Sequence, residues 1–254
     1  MGQAPAGLEG SDARLGWLQD VLPEVAEQGA DLLLLPELFA CGYHIGKEVT
    51  RRAEPIEGPA AAEVERLARR HGQAICYGFA ERAGDQNFNA ALCIGPDGNV
   101  LGHHRKLAIP PGFERSYFTP GRGCQVFGYR GFKIAILICY DAEFPETVRH
   151  AATEQAEVIL VPTALGAEWT WVSERMIPAR AYENGVYLAY ANSAGAENGM
   201  AFLGNSVVAT PDGGEAARAG AEPGLIFADL RKDCVAAAQT RLPYLNDRTS
   251  INLR

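Results

Sequence analysis

Apolar residues in this chain follow two rhythms that succeed each other. From Ser11, a good N-cap, Leu15, Leu18, Val21, Leu22, Val25 and Ala26 recur at helical spacing until Gly29 ends the run, which predicts an amphipathic helix. ADLLLLPE (30–37) is then an unbroken apolar run of strand length closing on Pro36 and Glu37, as a strand buried on both faces requires. Gly58 and Pro59 open a second predicted helix that runs to His71 and stops at Gly72, followed by a strand in QAICYGFAER (73–82). NAALCIG (89–95) and NVLGHHRK (99–106) flank Pro96, Asp97 and Gly98, a turn signal between two strand-like segments.

The second half repeats this order. The apolar run KIAILIC (133–139) precedes a helix opened by Phe144, Pro145 and Glu146 and reaching about Gln155. AEVILVPT (156–163) then matches ADLLLLPE position by position, from Ala30 and Ala156 through Pro36 and Pro162. SERMIPARAYENG (173–185) reads as a helix ending at Gly185, and VYLAYAN (186–192) as a strand. NSVVAT (205–210), a turn over Pro211, Asp212, Gly213 and Gly214, and GLIFADL (224–230) parallel the earlier hairpin. Two similar halves, each with helices and a sheet, predict an α/β fold of two sheets packed face to face with helices outside. That is a four-layer α-β-β-α sandwich, read as a single domain over residues 1–254. A doubly wound single sheet is the alternative, but the twin hairpin turns favour antiparallel additions in each half. KIAILIC has no counterpart in the first half, where only MGQAPAGL stands, so an N-terminal strand is expected to be missing.

Composition narrows the function. With 47% hydrophobic residues the chain can bury a substantial core. It has neither the roughly 18 consecutive apolar residues of a membrane span nor a secretion signal, so a cytoplasmic location with no membrane partner is expected. The six cysteines (41, 76, 93, 124, 139 and 234) lack paired spacing and should be reduced. A net charge of -8 argues against a nucleic-acid partner.

Cys139 would sit at the carboxyl end of a buried strand just before a helix, the edge of an α/β sheet at which ligands bind. A free cysteine is more often a small buried hydrophobe. To act as a nucleophile it needs a base beside it, because the thiolate is the reactive form. Among the histidines, His71 ends a helix, His150 lies on one, and the adjacent His103 and His104 point to opposite faces if extended. None of the five stands out as that base. Glu37, closing an apolar run at a strand end, is either such a base or an exposed loop residue. Lys106 precedes and Glu114 lies within the loop LAIPPGFERSYFTPG (107–121), where a solvated lysine and glutamate would be ordinary. Cys41 and His44 form a C-x-x-H half-site without a second pair, so no metal is expected. No glycine-rich phosphate loop is present, so no nucleotide cofactor is expected either.

Together, LLLLPELFACGY (32–43), HHRKLAIPPGFERSYFTPG (103–121) and LICYDAEFPE (137–146) resemble the nitrilase, or carbon-nitrogen hydrolase, superfamily. The resemblance covers the whole chain except the missing first strand. It implies the α-β-β-α sandwich, no cofactor, and Glu37, Lys106 and Cys139 as catalytic residues, with Glu114 as a second glutamate in the pocket. CYDAEFPE, the VPTA segment, AYAN and RLPYLNDR look most like amidases of small aliphatic amides, the 5-aminopentanamidase group and related stereoselective amidases. In that reading Glu37 is general base and Cys139 attacks the amide carbon. Lys106 and the Tyr140 N–H stabilise the oxyanion, while Glu114 holds Lys106 or the substrate amide. Tyr140, Glu143 and Thr163 are the expected substrate-binding residues. Glu143 faces a substrate ammonium group, or else is a carboxylate favoured by the helix dipole. The partner is a small amide, and a homo-oligomer is implied by resemblance alone. A nitrilase or N-carbamoyl amidohydrolase would use the same triad, and a catalytically silent binding or assembly module is the reading from another class.

Overall fold

A computed structural model describes residues 1–252. In the first half β1 (Gly2–Gln3) leads into α1 (Gly10–Glu27) and β2 (Leu32–Leu34). The single turn α2 (Glu48–Arg51) and α3 (Pro59–His71) follow; α3 ends at Gly72, which takes the left-handed conformation at φ 68°. Strands β3 (Ala74–Ala83), β4 (Gln86–Ile94) and β5 (Val100–Arg105) complete a sheet of order β2-β3-β4-β5. The Pro/Gly-rich loop beyond β5 carries one helical turn, α4 (Glu114–Tyr117).

The second half contains β6 (Val126–Tyr129), β7 (Phe132–Ile136), α5 (Pro145–Thr153), β8 (Val158–Pro162), α6 (Ile177–Asn184) and β9 (Tyr187–Ala191). A separate hairpin, β10 (Ala194–Glu197) with β11 (Met200–Leu203), precedes β12 (Val207–Ala209), β13 (Glu215–Arg218) and β14 (Gly224–Leu225). Helices α7 (Lys232–Arg241) and α8 (Tyr244–Asp247) follow. This sheet has the order β13-β12-β9-β8-β7-β6. The repeat extends to the pairing: β8-β9 parallel, then β9-β12 and β12-β13 antiparallel, duplicate β2-β3, β3-β4 and β4-β5.

Three expectations change. The partner of β12 is Glu215–Arg218, which begins directly after the turn at 211–214, and not GLIFADL; Gly224–Leu225 of that segment instead pairs with Gly2–Gln3. The short connection captures the nearest extended residues even though they are less apolar. At the N-terminus a strand does form, but only over those two residues and outside the four-stranded sheet. The segment read as one helix from residue 173 begins as a π-helical turn, Val172–Met176, and becomes α-helical at Ile177. Pro178 has no N–H to donate to a carbonyl in the preceding turn.

Strand residues alternate between cores with the two-residue period of extended chain. Leu33, Leu35, Ile75, Tyr77 and Leu92 pack against Leu18, Leu22, Val64 and Leu67 of α1 and α3. Ala135, Ile159, Val161 and Leu188 pack against Val148, Ala151 and Ile177 of α5 and α6. The intervening residues of both sheets, Leu34, Cys76 and Cys93 from one and Ile136, Ile138, Leu160 and Ala189 from the other, share a third core. The packing order is therefore helices, sheet, sheet, helices. Among the described residues no helix is long and apolar enough to cross a membrane.

Candidate active site

Three strand ends of the two sheets deliver the candidate residues. Glu37 follows β2 on a segment pressed against β3, and only a glycine at position 78 permits that approach. A Cβ there would stand 2.3 Å from Leu38 N and 2.7 Å from Glu37 Cα. Gly78 donates its N–H to Pro36 O (3.1 Å) and accepts from Ala40 N–H (3.0 Å), while Leu38 turns the chain at φ 49°. Lys106 follows β5, donating its N–H to Asn89 O (2.8 Å) and accepting at its carbonyl from Gly121 N–H (2.7 Å). Cys139 lies beyond β7 as the first residue of a 3₁₀ turn, Cys139–Glu143, with φ 45°. A non-glycine residue in that conformation is strained, so the surrounding bonds must hold it.

A fully enclosed ammonium joins the first two strand ends. Lys106 Nζ donates to Glu37 Oε1 at 2.6 Å and to both Glu114 oxygens at 2.8 and 2.9 Å. Asn89 Nδ2 reaches the same carboxylates, Glu37 Oε1 at 2.7 Å and Glu114 Oε2 at 3.0 Å, and Tyr43 OH donates to Glu114 Oε1 at 2.7 Å. Burial alone would lower the Lys106 pKa, but the Glu37 and Glu114 charges outweigh it and hold it above the ordinary lysine value. Burial raises the Glu37 carboxyl above the usual carboxylate range, Glu114 adds to this, and Lys106 and Asn89 oppose it. Glu37 Oε2 is buried with no hydrogen-bond partner among the described residues.

The Cys139 thiol is pushed up by burial and by the Glu37 charge. Lys106, the Thr163 hydroxyl and the Ala164 N–H act in the other direction, favouring the thiolate. Thr163 is fully buried, with its hydroxyl 2.9 Å from Tyr190 OH. Its carbonyl also accepts the Glu37 N–H at 3.3 Å, linking the strand ends that carry the carboxylate and the thiol.

Asp141 fixes the strained turn. Its fully buried carboxylate accepts from Ile138 N–H (3.0 Å), Leu107 N–H (2.9 Å) and Ala108 N–H (2.8 Å), with His104 Nε2 at 3.0 Å. One side chain therefore ties the residue before Cys139 to the two residues after Lys106. Tyr140, at the start of the 3₁₀ turn, has an early helical amide of the kind left without an intrahelical acceptor. Its ring meets Phe144 edge-on, with centroids 4.9 Å apart. Glu143 is half-buried and its carbonyl accepts from Arg180 Nη2 at 2.8 Å. Its carboxyl is raised by burial, against the pull of Lys106 and Arg180.

Glu37, Lys106, Glu114, Cys139 and Thr163 come together. Asn89, Tyr43, Asp141 and His104 join them without having been singled out from the sequence. Asn89 had a signal, a polar residue opening the apolar strand NAALCIG. His103 and His104 do face opposite ways, His103 to Glu81 at 2.8 Å and His104 inward to Asp141. Cys41 is buried with its sulfur towards the Leu38 and Gly42 carbonyls. Among the described residues no three His, Cys, Asp or Glu side chains converge as a metal site.

A buried carboxylate-ammonium cluster beside a sheet-edge thiol, held between two such sheets, is the setting of a hydrolase, and similarity to known proteins says which kind. The chain belongs to the carbon-nitrogen hydrolase family, which it matches over residues 2–239. It is 40% identical to "Hydrolase in pqqF 5'region" of Pseudomonas protegens over 86% of this chain and 78% of that protein. An (R)-stereoselective amidase of Pseudomonas sp. is 33% identical over 86% of this chain and 79% of its own. Among solved structures, an amidase from Nesterenkonia sp. superposes with a TM-score of 0.86 at 35% identity, covering 98% of this chain and 94% of that one.

Proposed function

We propose that the chain is an amidase converting a small carboxamide and water to the carboxylic acid and ammonia through a thioester on Cys139. The observation that carries this reading is the division of labour at Glu37. Oε1 is held by Lys106 and Asn89, whereas Oε2 is buried with no hydrogen-bond partner among the described residues, and the Glu37 charge acts on the thiol. A buried thiol needs a base, and a glutamate with a raised pKa can keep and return a proton near neutral pH.

In this mechanism the thiol proton passes to Glu37 as sulfur attacks the carbonyl carbon and the C=O electron pair moves onto oxygen. The Tyr140 N–H and Lys106 Nζ stabilise that oxyanion, Lys106 turning towards it one of the two N–H groups it otherwise gives to Glu114. Collapse breaks the C–N bond, and the nitrogen takes the proton from Glu37 to leave as ammonia. Water then gives a proton to Glu37 and adds to the thioester, and the thiol departs with that proton. Ammonia release from short amides, with the acyl-enzyme trapped by mass spectrometry, tests the scheme. Undiminished turnover by Cys139→Ala would refute it. A nitrile would pass through a thioimidate on the same residues, and comparing valeramide with valeronitrile separates the two.

We extend the reading to acyl chains with a cationic end, received by Glu143. Its support is a half-buried carboxylate with no hydrogen-bond donor among the described residues, on the turn that carries the nucleophile. Glu143→Gln should weaken turnover of 5-aminopentanamide and spare valeramide; equal loss on both would remove Glu143 from recognition.

A further inference from the structure

The hairpin of β10 and β11 belongs to neither large sheet, yet it bonds to segments that leave both. Along β11, Leu203 N–H donates to Leu165 O (3.0 Å) and Ala201 O accepts from Ala167 N–H (3.0 Å), on the chain that leaves β8. The hairpin tip reaches the chain that leaves β2. There Glu197 is buried: Oε1 accepts from Arg14 Nη2 of α1 at 2.6 Å, and Oε2 accepts from the N–H groups of Tyr43 (2.8 Å) and His44 (2.6 Å). Asn198 Nδ2 donates to His44 O at 2.8 Å. Gly42, at φ 99°, makes room for the ion pair, since a Cβ there would stand 2.5 Å from Glu197 Oε1 and 3.2 Å from Arg14 Nη2. Residues 42–45 belong to no helix or strand, so side chains of the hairpin satisfy backbone groups that a ladder would otherwise pair.

The residue held in this way is Tyr43. Its ring stands edge-on to Phe113, with centroids 4.9 Å apart, and to Phe202 of β11 at 6.1 Å, and its hydroxyl donates to Glu114 Oε1 at 2.7 Å. Lys106 Nζ donates to the same oxygen at 2.8 Å. When Lys106 withdraws that N–H for the oxyanion, Oε1 keeps the Tyr43 hydroxyl as a donor, whereas a buried carboxylate oxygen stripped of donors would be costly. We propose that the hairpin tip is a clasp: Glu197, neutralised by Arg14, fixes the Tyr43 backbone so that the Tyr43 hydroxyl stays on Glu114 while Lys106 serves the oxyanion. Arg14, Tyr43 and Glu197 are then positioning residues that act through Glu114. A buried ion pair contributes little net stability; what this one supplies is a fixed place for two backbone amides. The inference rests on the role of Lys106 in the proposed mechanism.

A double-variant cycle, read by ammonia release from a short amide, tests the clasp. Tyr43→Phe should lower kcat about tenfold with little change in KM, because the lost bond to a charged group matters most once Lys106 has turned. Glu197→Gln must face its NH2 either to Arg14 or to the two amides, and should lower kcat about fivefold, again sparing KM. In the Tyr43→Phe background Glu197→Gln should add less than about twofold, since its effect has no path left. Losses that multiply, or a Glu197→Gln enzyme that unfolds more easily yet keeps the wild-type kcat, would overturn the clasp. If Glu197→Gln does not fold, Asn198→Gly is a gentler cut, because glycine suits the φ of 46° there and only the bond to His44 O is lost. It should lower kcat about threefold, the scale of one net hydrogen bond. A wild-type kcat for Asn198→Gly, or the same loss in the Tyr43→Phe background, would overturn the clasp. Undiminished turnover by Lys106→Ala would instead refute the mechanism beneath it, whatever the other variants do.

Discussion

Glu37 and Thr163 occupy the same place in the two halves, one residue beyond the proline that follows β2 in one and ends β8 in the other. The strands before them each pair in parallel with the next strand of their sheet, although β2 lies at an edge and β8 has β7 on its other side, and the two residues meet through one backbone hydrogen bond. Their side chains differ completely. The first half puts a carboxylate there and supplies Lys106, Glu114 and Asn89 to hold it. The second puts a hydroxyl there and supplies Cys139. The repeat has duplicated a scaffold and divided the chemistry, with the ionised groups on one side and the thiol on the other.

Removing the cation should separate the halves most sharply. Lys106→Ala leaves two carboxylates facing each other in a closed site; stability should fall by about 3–5 kcal/mol, as for other broken buried ion pairs. Amide turnover should fall on the order of 10²–10³-fold with the lost oxyanion donor. Denaturant unfolding and ammonia release would measure the two losses, and near-wild-type turnover would remove Lys106 from the mechanism. Making the halves alike should fail: Thr163→Glu buries a second carboxylate with no lysine of its own. It should lower the unfolding free energy by several kcal/mol or abolish folding, and a stable variant would show that Thr163 has access to solvent or a cation.

Asp141→Asn should have a smaller effect. The amide cannot accept as a charged group from three N–H donors, which should cost about 1.5–3 kcal/mol. Because Asp141 ties the Cys139 turn to the Lys106 loop, kcat should fall more than KM rises. Unchanged kinetics with lower stability would restrict Asp141 to folding. Asn89→Leu should produce the smallest change. Asn89 bonds favour the ionised form of Glu37, so its removal should raise the Glu37 pKa further. A base works above its pKa and is lost as pH falls through it. The acid limb of kcat/KM should therefore move to higher pH, and an unmoved or lowered limb would contradict this ordering of charges.

The scaffold was more legible than the site. Strands buried on both faces announce themselves as apolar runs, and Pro36 and Pro162 marked equivalent ends before any geometry was known. Cys139 and Glu37 drew notice from their places at the ends of apolar runs, but Lys106 and Glu114 stood out only through the motifs around them, since nothing in a sequence brings a lysine after β5 to a glutamate after β2. Asn89, Asp141 and Tyr43 were harder still. Their partners lie 52, 34 and 71 positions away along the chain for the bonds to Glu37, Leu107 and Glu114, beyond any local pattern. GLIFADL misled because its apolar content suited a strand, whereas the tight turn at 211–214 had already chosen the residues next to it.

The backbone bond from Glu37 N–H to Thr163 O has a kinetic consequence. It closes a loop of more than a hundred residues, and contacts of that range are entropically expensive to make early in folding. Helices such as α1 and α3 form from local bonds, but Glu37 and Cys139, the proposed base and nucleophile, meet only when both sheets have docked. In refolding from denaturant, ammonia release should return after the far-ultraviolet helical signal. Recovery of activity would then time the docking of the two halves.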